Sequence, residues 1–149
     1  MRHFVRNISY LRVMKAKKQS VSAEPTRSEL EILEVLWKHG PSTVRFVNDY
    51  LRDNIRPVQY TSTLKLMQIM VEKKMLGRDE QQMKHIYHPL LEEKKTKGAI
   101  INHMVDALFG GSKKNLVMQL FGGGNPSRKE LDEIKEMLRE MDAQKTKKP

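Results

Sequence analysis

The sequence predicts a mainly α protein with a small β-hairpin wing, a winged helix-turn-helix followed by a C-terminal helical region. Three observations carry that prediction. Between Thr26 and Lys73 the apolar residues recur at helical spacing in three short segments, broken at His39-Gly40-Pro41 and at Arg56-Pro57. After Leu76 the helical period is lost, and Met83-Lys84-His85-Ile86-Tyr87-His88 reads as a short strand with the polar turn residues Glu80, Gln81 and Gln82 ahead of it. Beyond Pro89 helical spacing returns in three further segments, punctuated by Gly110-Gly111-Ser112 and by Gly122-Gly123-Gly124-Asn125-Pro126.

The first segment opens on the box Thr26-Arg27-Ser28-Glu29, in which a hydroxyl at the N-cap and a carboxylate three residues on satisfy two orphan backbone donors reciprocally. Leu30, Leu33, Leu36 and Trp37 fall on one face, with Glu29, Glu31, Glu34 and Lys38 expected outside, so this helix is a scaffold. Ser42 or Thr43 can cap the second helix, where Val44, Val47, Tyr50 and Leu51 alternate with Arg45, Asn48, Asp49 and Arg52. Arg56-Pro57 ends it, because proline cannot continue a helix and restricts the residue before it.

The third segment, Tyr60 to Lys73, organises the rest. At roughly 100° per residue, Tyr60, Thr63, Leu64, Leu66, Met67, Met70 and Val71 gather on one side, while Thr61, Ser62, Lys65, Gln68 and Glu72 gather on the other. Only Ile69 falls on the polar arc. Small hydroxyls, an amide and one lysine can approach DNA closely and hydrogen-bond to base edges and phosphates, as a recognition helix does. Taken alone, the same pattern also describes an ordinary amphipathic surface helix. Its place after two short helices and before a hairpin is what favours helix-turn-helix plus wing. Lys84 and His85, near the wing tip, would then position the protein on the phosphate backbone.

Glu92 to Lys97 opens a long linking helix that continues through Ile100, Ile101, Met104, Val105, Leu108 and Phe109. Ser112 can cap a further helix with Leu116, Val117, Leu120 and Phe121 on one face. Ser127 and Glu130 form a second capping box ahead of Leu131, Ile134, Leu138 and Met141. Three short helices without a sheet make a poor independent core, and pairing with a second copy would bury their stripes. The spacing alone leaves open that they fold back on the winged helix. A two-fold dimer spans half-sites roughly 34 Å apart and gains specificity from both, which favours the dimer.

Charge points the same way. Of 149 residues, 28 are Lys or Arg and 18 Asp or Glu, a net +10 that favours an anionic partner, nucleic acid or a membrane surface. Residues 1–25 hold six basic and one acidic side chains, so half the excess lies in an N-terminal tail. No apolar run approaches the ~20 residues of a membrane span, and the first 13 residues lack the core of a signal peptide. Met14 precedes a polar run and stands beside Met1 as an alternative start. The absence of cysteine excludes disulfides, thiolate catalysis and cysteine-ligated metals, and fits a cytoplasmic protein.

The expected organisation is therefore a basic, disordered tail over 1–25, a DNA-binding domain over 26–90, a helical dimerisation domain over 91–142 and a basic tail over 143–149. Candidate DNA contacts are Thr43, Arg45, Tyr60, Thr61, Ser62, Lys65, Gln68, Lys84 and His85. Candidate dimer contacts are Ile101, Met104, Val105, Leu108, Phe109, Leu116, Val117, Leu120, Leu131, Ile134 and Leu138.

The chain resembles the penicillinase and methicillin-resistance repressor (BlaI/MecI) family. The resemblance covers roughly Thr26 to Met141. It is carried by Ser28-Glu29-Leu30-Glu31-Ile32-Leu33 with Val35-Leu36-Trp37 and the Gly40-Pro41 stop, then Thr43-Val44-Arg45 with Val47. Tyr60-Thr61-Ser62-Thr63-Leu64 with Leu66-Met67, Glu72-Lys73 with Leu76, and Tyr87-His88-Pro89 follow in order. Leu108-Phe109-Gly110-Gly111-Ser112 with Leu116-Val117, and Glu130 to Leu138, look like that family's dimerisation region. The resemblance implies a homodimeric repressor on a palindromic double-stranded DNA operator. It also implies, as in several members, release through a membrane metalloprotease sensor whose signal leads to cleavage, here near Met118-Gln119-Leu120-Phe121. Three departures bear on it. Lys74 stands where the family usually has the glycine of the helix stop, so a different turn into the wing is expected. Ile69 replaces a commonly basic position. The cysteine cluster of copper-responsive relatives is absent, which argues against copper sensing.

Other chemistry finds little support in the sequence. His3, His39, His85, His88 and His103 lack metal-ligand spacing, so no metal or other cofactor is expected. The glycine run at 122–124 lacks the strand, lysine and helix of a phosphate loop, and no nucleophile elbow is present, so an enzyme is not expected. The abundant methionines read as core filling. Two alternatives stand beside the repressor reading: a winged-helix protein-interaction module, and nonspecific nucleic-acid binding by the basic tail.

Overall fold

In the computed structural model, which describes residues 24–80 and 83–147, α1 (Arg27–His39) starts at the Thr26 box. Thr26 Oγ1 accepts from Glu29 N at 3.3 Å, and Thr26 N donates to Glu29 Oε1 at 3.0 Å. The helix ends at Gly40, whose φ of 82° is one that a side chain resists. Thr43, rather than Ser42, caps α2 (Val44–Asn54), accepting from Phe46 N. Ser42 instead exchanges both backbone hydrogen bonds with Tyr87 and so ties the α1–α2 turn to the wing.

Helix α3 spans Tyr60–Glu72. Strands β1 (Leu76–Asp79) and β2 (Ile86–Pro89) pair antiparallel, with Leu76 opposite Pro89, Gly77 opposite His88, Arg78 opposite Tyr87 and Asp79 opposite Ile86. The second strand is thus shorter than the expected Met83–His88: Met83, Lys84 and His85 lie in the connection before it. The described residues form a mostly helical fold with one two-stranded hairpin, a winged helix-turn-helix followed by C-terminal helices.

The core of the winged helix joins Ile32, Leu33, Val35 and Leu36 of α1, Val44, Val47 and Leu51 of α2, and Met67 and Met70 of α3 to Met75, Leu76 and Tyr87. Each such side chain stabilises the fold by about 1.5–3 kcal/mol through burial. Two residues expected outside are inside. Glu29 is 1% exposed and Asn48 3% exposed, because each finds polar partners on a distant element. Trp37, half-buried, donates Nε1–H to Leu91 O at 3.0 Å, which fastens the chain after the wing to α1.

Helix α4 (Glu93–Phe109) carries the division of the chain into two compact units, the first reaching to Gly98 and the second starting at Ala99. In the second unit α5 (Lys113–Gly122) is capped by Ser112, and α6 (Arg128–Thr146) by Ser127, whose Oγ accepts from Glu130 N at 3.1 Å. Helix α6 runs to Thr146, into the stretch expected as a tail, because Ala143-Gln144-Lys145 carry no helix breaker. The expectation for residues 1–25 falls almost wholly outside the described residues. Among the described residues no helix is long and apolar enough to cross a membrane.

Candidate DNA-binding surface

Helix α3 is held from three sides. Near its start, Asn48 Nδ2 donates to Thr63 Oγ1 at 2.9 Å and to Val58 O at 3.1 Å, joining α2, the turn and α3 through one amide. Thr63 in turn donates to Gln59 O. Before the turn ends, Arg56 pairs with Glu31 of α1 at 3.0 Å and donates to Ser28 Oγ. After its last turn, Lys73 Nζ lies 3.1 and 3.3 Å from the two carboxylate oxygens of Glu29. Burial pushes the Glu29 carboxyl up. The Thr26 backbone N–H and hydroxyl and the Lys73 ammonium outweigh that and leave it below the ordinary carboxylate value.

With Thr63, Met67 and Met70 turned into the core, geometry leaves Thr61, Lys65, Gln68 and Glu72 within an arc of roughly 60° on the opposite side. All four are exposed. The side chains of Thr61, Ser62, Lys65 and Gln68 make no hydrogen bond or ion pair with any described residue, so their donors and acceptors stay open to a partner. Ser62 stands to one side of this arc, on a shallow cleft with Ser28, Arg56 and Gln59.

Five other predicted contacts converge on the far flank. Thr43, Arg45, Tyr60, Lys84 and His85 line one cleft of about 410 Å³ between the start of α2, the start of α3 and the wing connection. The Arg45 guanidinium lies 4.4 Å from the centroid of the Tyr60 ring, a cation–π contact that holds it beside the start of α3. Helix α3 has no side-chain cap at Gln59, whose carbonyl accepts from Ser62 N and Thr63 N, so the first-turn N–H groups left for a partner are those of Tyr60 and Thr61. In the wing itself Arg78 is paired with Glu80, so Lys84 supplies the exposed positive charge there, beside the exposed imidazole of His85.

Lys74 takes φ 60°, a left-handed value at the turn into the wing that residues with a side chain seldom adopt. Ile69 is half-buried at the edge of the α3 polar arc.

Of the predicted dimer residues, Ile101, Leu108, Val117, Leu120 and Leu138 are exposed, and Met104, Phe109, Leu116, Leu131 and Ile134 are half-buried. Val105, at 3% exposure, is already buried within the single chain and has no area left to give a partner.

The Asn48 hook, the Lys73–Glu29 pair and the Arg56–Glu31 pair are contacts around α3 that sequence reasoning missed. Thr63 was the available signal for the first, since a hydroxyl on the apolar arc of a helix needs a buried partner. Glu29 and Lys73 offered none, because nothing local ties a capping-box carboxylate to a lysine two helices later.

No curated protein matches the chain. The family model for the penicillinase repressor matches residues 25–140, which takes in the whole winged helix, the linking helix and α5 and most of α6. A DNA-reading fold followed by helices with open apolar faces, and a family match over most of its length, agree: the chain belongs to the penicillinase repressor family of DNA-binding transcriptional regulators.

Proposed function

We propose that the chain is a sequence-specific repressor that binds a palindromic operator as a homodimer. The observation that carries this reading is the open polar arc of α3, held by Asn48, Arg56 and Lys73 and turned away from the core. Lys65 and Gln68 reach base edges in the major groove, and Thr61 and Ser62 fix the depth of entry. Arg45, the first N–H groups of α3, Lys84 and His85 take phosphates on the wing side. Dimerisation through Ile101, Leu108, Leu120 and Leu138 covers apolar surface exposed in one copy and sets two reading heads about one helical turn apart.

Release follows a signal from a membrane metalloprotease sensor, with cleavage in α5 near Met118–Phe121. That short helix buries no residue and lies between two glycine-rich joints, so its backbone opens at low cost to a protease.

Competition between an operator duplex and scrambled duplexes tests the proposal. Tight binding to one palindrome with a wide margin over random DNA is expected, and Lys65→Ala with Gln68→Ala should erase that margin. Equal affinity for scrambled duplexes in the unmodified protein would overturn it, in favour of nonspecific binding. Absence of DNA binding altogether would favour a protein-interaction module.

A further inference from the structure

The cleft between α3 and the wing has a chemistry that phosphate contact does not explain. Its floor is apolar: Val44 and Tyr87 are buried core residues, and Leu64 is packed against the core beside them. Its rim carries two cations, Arg45 and Lys84, with the His85 imidazole beside them, and no carboxylate is among its described lining residues. A phosphate diester seated against Val44 and Leu64 would lose hydration and gain no hydrogen bond there, so phosphates are held at the rim and leave the floor vacant. At about 410 Å³ the cleft lies within the range of small-molecule sites, which combine apolar walls with a few placed polar groups.

We infer that this cleft binds a small aromatic carboxylate, the flat ring lying against Leu64 and Val44 and the carboxylate meeting Arg45 and Lys84. Charge complementarity selects the anion, and the apolar floor selects the ring. Arg45 is already oriented to receive it, because its guanidinium is held over the Tyr60 ring at 4.4 Å, which reduces the freedom lost on forming a forked pair with a carboxylate. That ligand binds the free protein whether or not the chain reads DNA. Its regulatory consequence rests on the repressor reading: a ring between α3 and the wing connection takes Arg45 and Lys84 away from phosphates, so occupancy and operator binding compete.

The test titrates the full chain, without DNA, with 2-naphthoate, 2-naphthalenemethanol and inorganic phosphate, by calorimetry and by amide NMR shifts. Saturable binding of one naphthoate per chain is expected, with a dissociation constant on the order of 0.1–1 mM. Shifts should centre on Thr43, Leu64 and His85. The uncharged alcohol should bind at least tenfold more weakly, and phosphate should leave the Leu64 amide unmoved. Arg45→Gln, an exposed replacement outside the core, should weaken naphthoate at least tenfold while the NMR spectrum of the rest of the chain is retained. Absence of saturable binding, equal binding of the alcohol, or shifts confined to α5 and α6 would each overturn the inference. Adding operator DNA separates the two readings. Displacement of DNA by naphthoate supports both, whereas naphthoate bound at Leu64 with DNA still in place keeps the ligand site and removes the cleft from the DNA interface.

Discussion

Asn48 donates to Thr63 Oγ1 at 2.9 Å, a side-chain hydrogen bond buried between α2 and α3. The same amide holds Val58 O at 3.1 Å, so one residue sets both the turn and the pitch of α3. Asn48→Ala leaves a hydroxyl and a carbonyl without their partner and should cost about 1–3 kcal/mol in urea unfolding. Combined with Thr63→Val it should show a coupling of at least about 0.5 kcal/mol. Strictly additive losses would mean that the bond contributes nothing of its own.

Acid stability should depend on Glu29. Its folded-state pKa is depressed below the ordinary 4.5, so the stability it contributes is present above that value and is lost as pH falls through the lowered one. Glu29→Gln should lose about 1–2 kcal/mol at pH 7, from weaker hydrogen bonds to Lys73 and Thr26. Below pH 4.5 the difference from the parent should shrink, as protonation removes the parent's advantage. A difference that stays constant down to about pH 2 would contradict this.

Lys74 holds φ 60° without being glycine, which costs about 1 kcal/mol in a side-chain-bearing residue. Lys74→Gly should therefore stabilise the domain by about 0.5–1 kcal/mol, less than the full strain because glycine also loosens the unfolded chain. Thermal unfolding would show a midpoint higher by a few degrees. A lower midpoint would place a stabilising contact on the lysine side chain.

Gly77 and His88 face each other across the hairpin, and the imidazole fills the space a side chain at Gly77 would need. A Cβ there would overlap the far end of the imidazole at His88 Nε2 and Cε1. Gly77→Ala should turn the ring aside, a small cost because the overlap is with the far end of a half-buried side chain, and leave the wing no more stable. In a His88→Ala background the same change should become stabilising by about 0.4–1 kcal/mol, because only the entropy gain remains. An unchanged sign in the two backgrounds, measured by wing amide exchange, would show that the ring is not the obstacle.

Truncation after Phe109 removes α5 and α6 with Leu120 and Leu138, two of the exposed apolar residues assigned to the dimer. Sedimentation should then report monomers, with operator affinity reduced far more than affinity for a single half-site. A truncated chain that still sediments as a dimer would move the interface elsewhere.

Much of the fold and part of the surface were legible before any coordinates. Caps at Thr26, Ser112 and Ser127, stops at Gly40 and Pro57, and the period of the apolar residues depend on neighbours three or four positions away, and local rules reach that far. The polar arc of α3 was legible for the same reason: once Thr63, Met67 and Met70 are inside, Thr61, Lys65 and Gln68 must be outside. The strand boundary was misplaced by three residues because Met83, Lys84 and His85 alternate acceptably, and only pairing with Leu76–Asp79 decides where the ladder ends.

By itself, then, the sequence determined the order of helices, the hairpin after the third, and which face of α3 is polar. Only the tertiary structure decided that Glu29 and Asn48, polar residues on faces that local periodicity marks as solvent, are buried. The physical reason is that burial of a polar group is settled by its partner, and those partners are remote: Lys73 stands 44 residues from Glu29, and Thr63 stands 15 from Asn48. Tertiary structure likewise brought Arg45, Tyr60 and Lys84 around one apolar floor, a juxtaposition of three elements that no periodicity encodes.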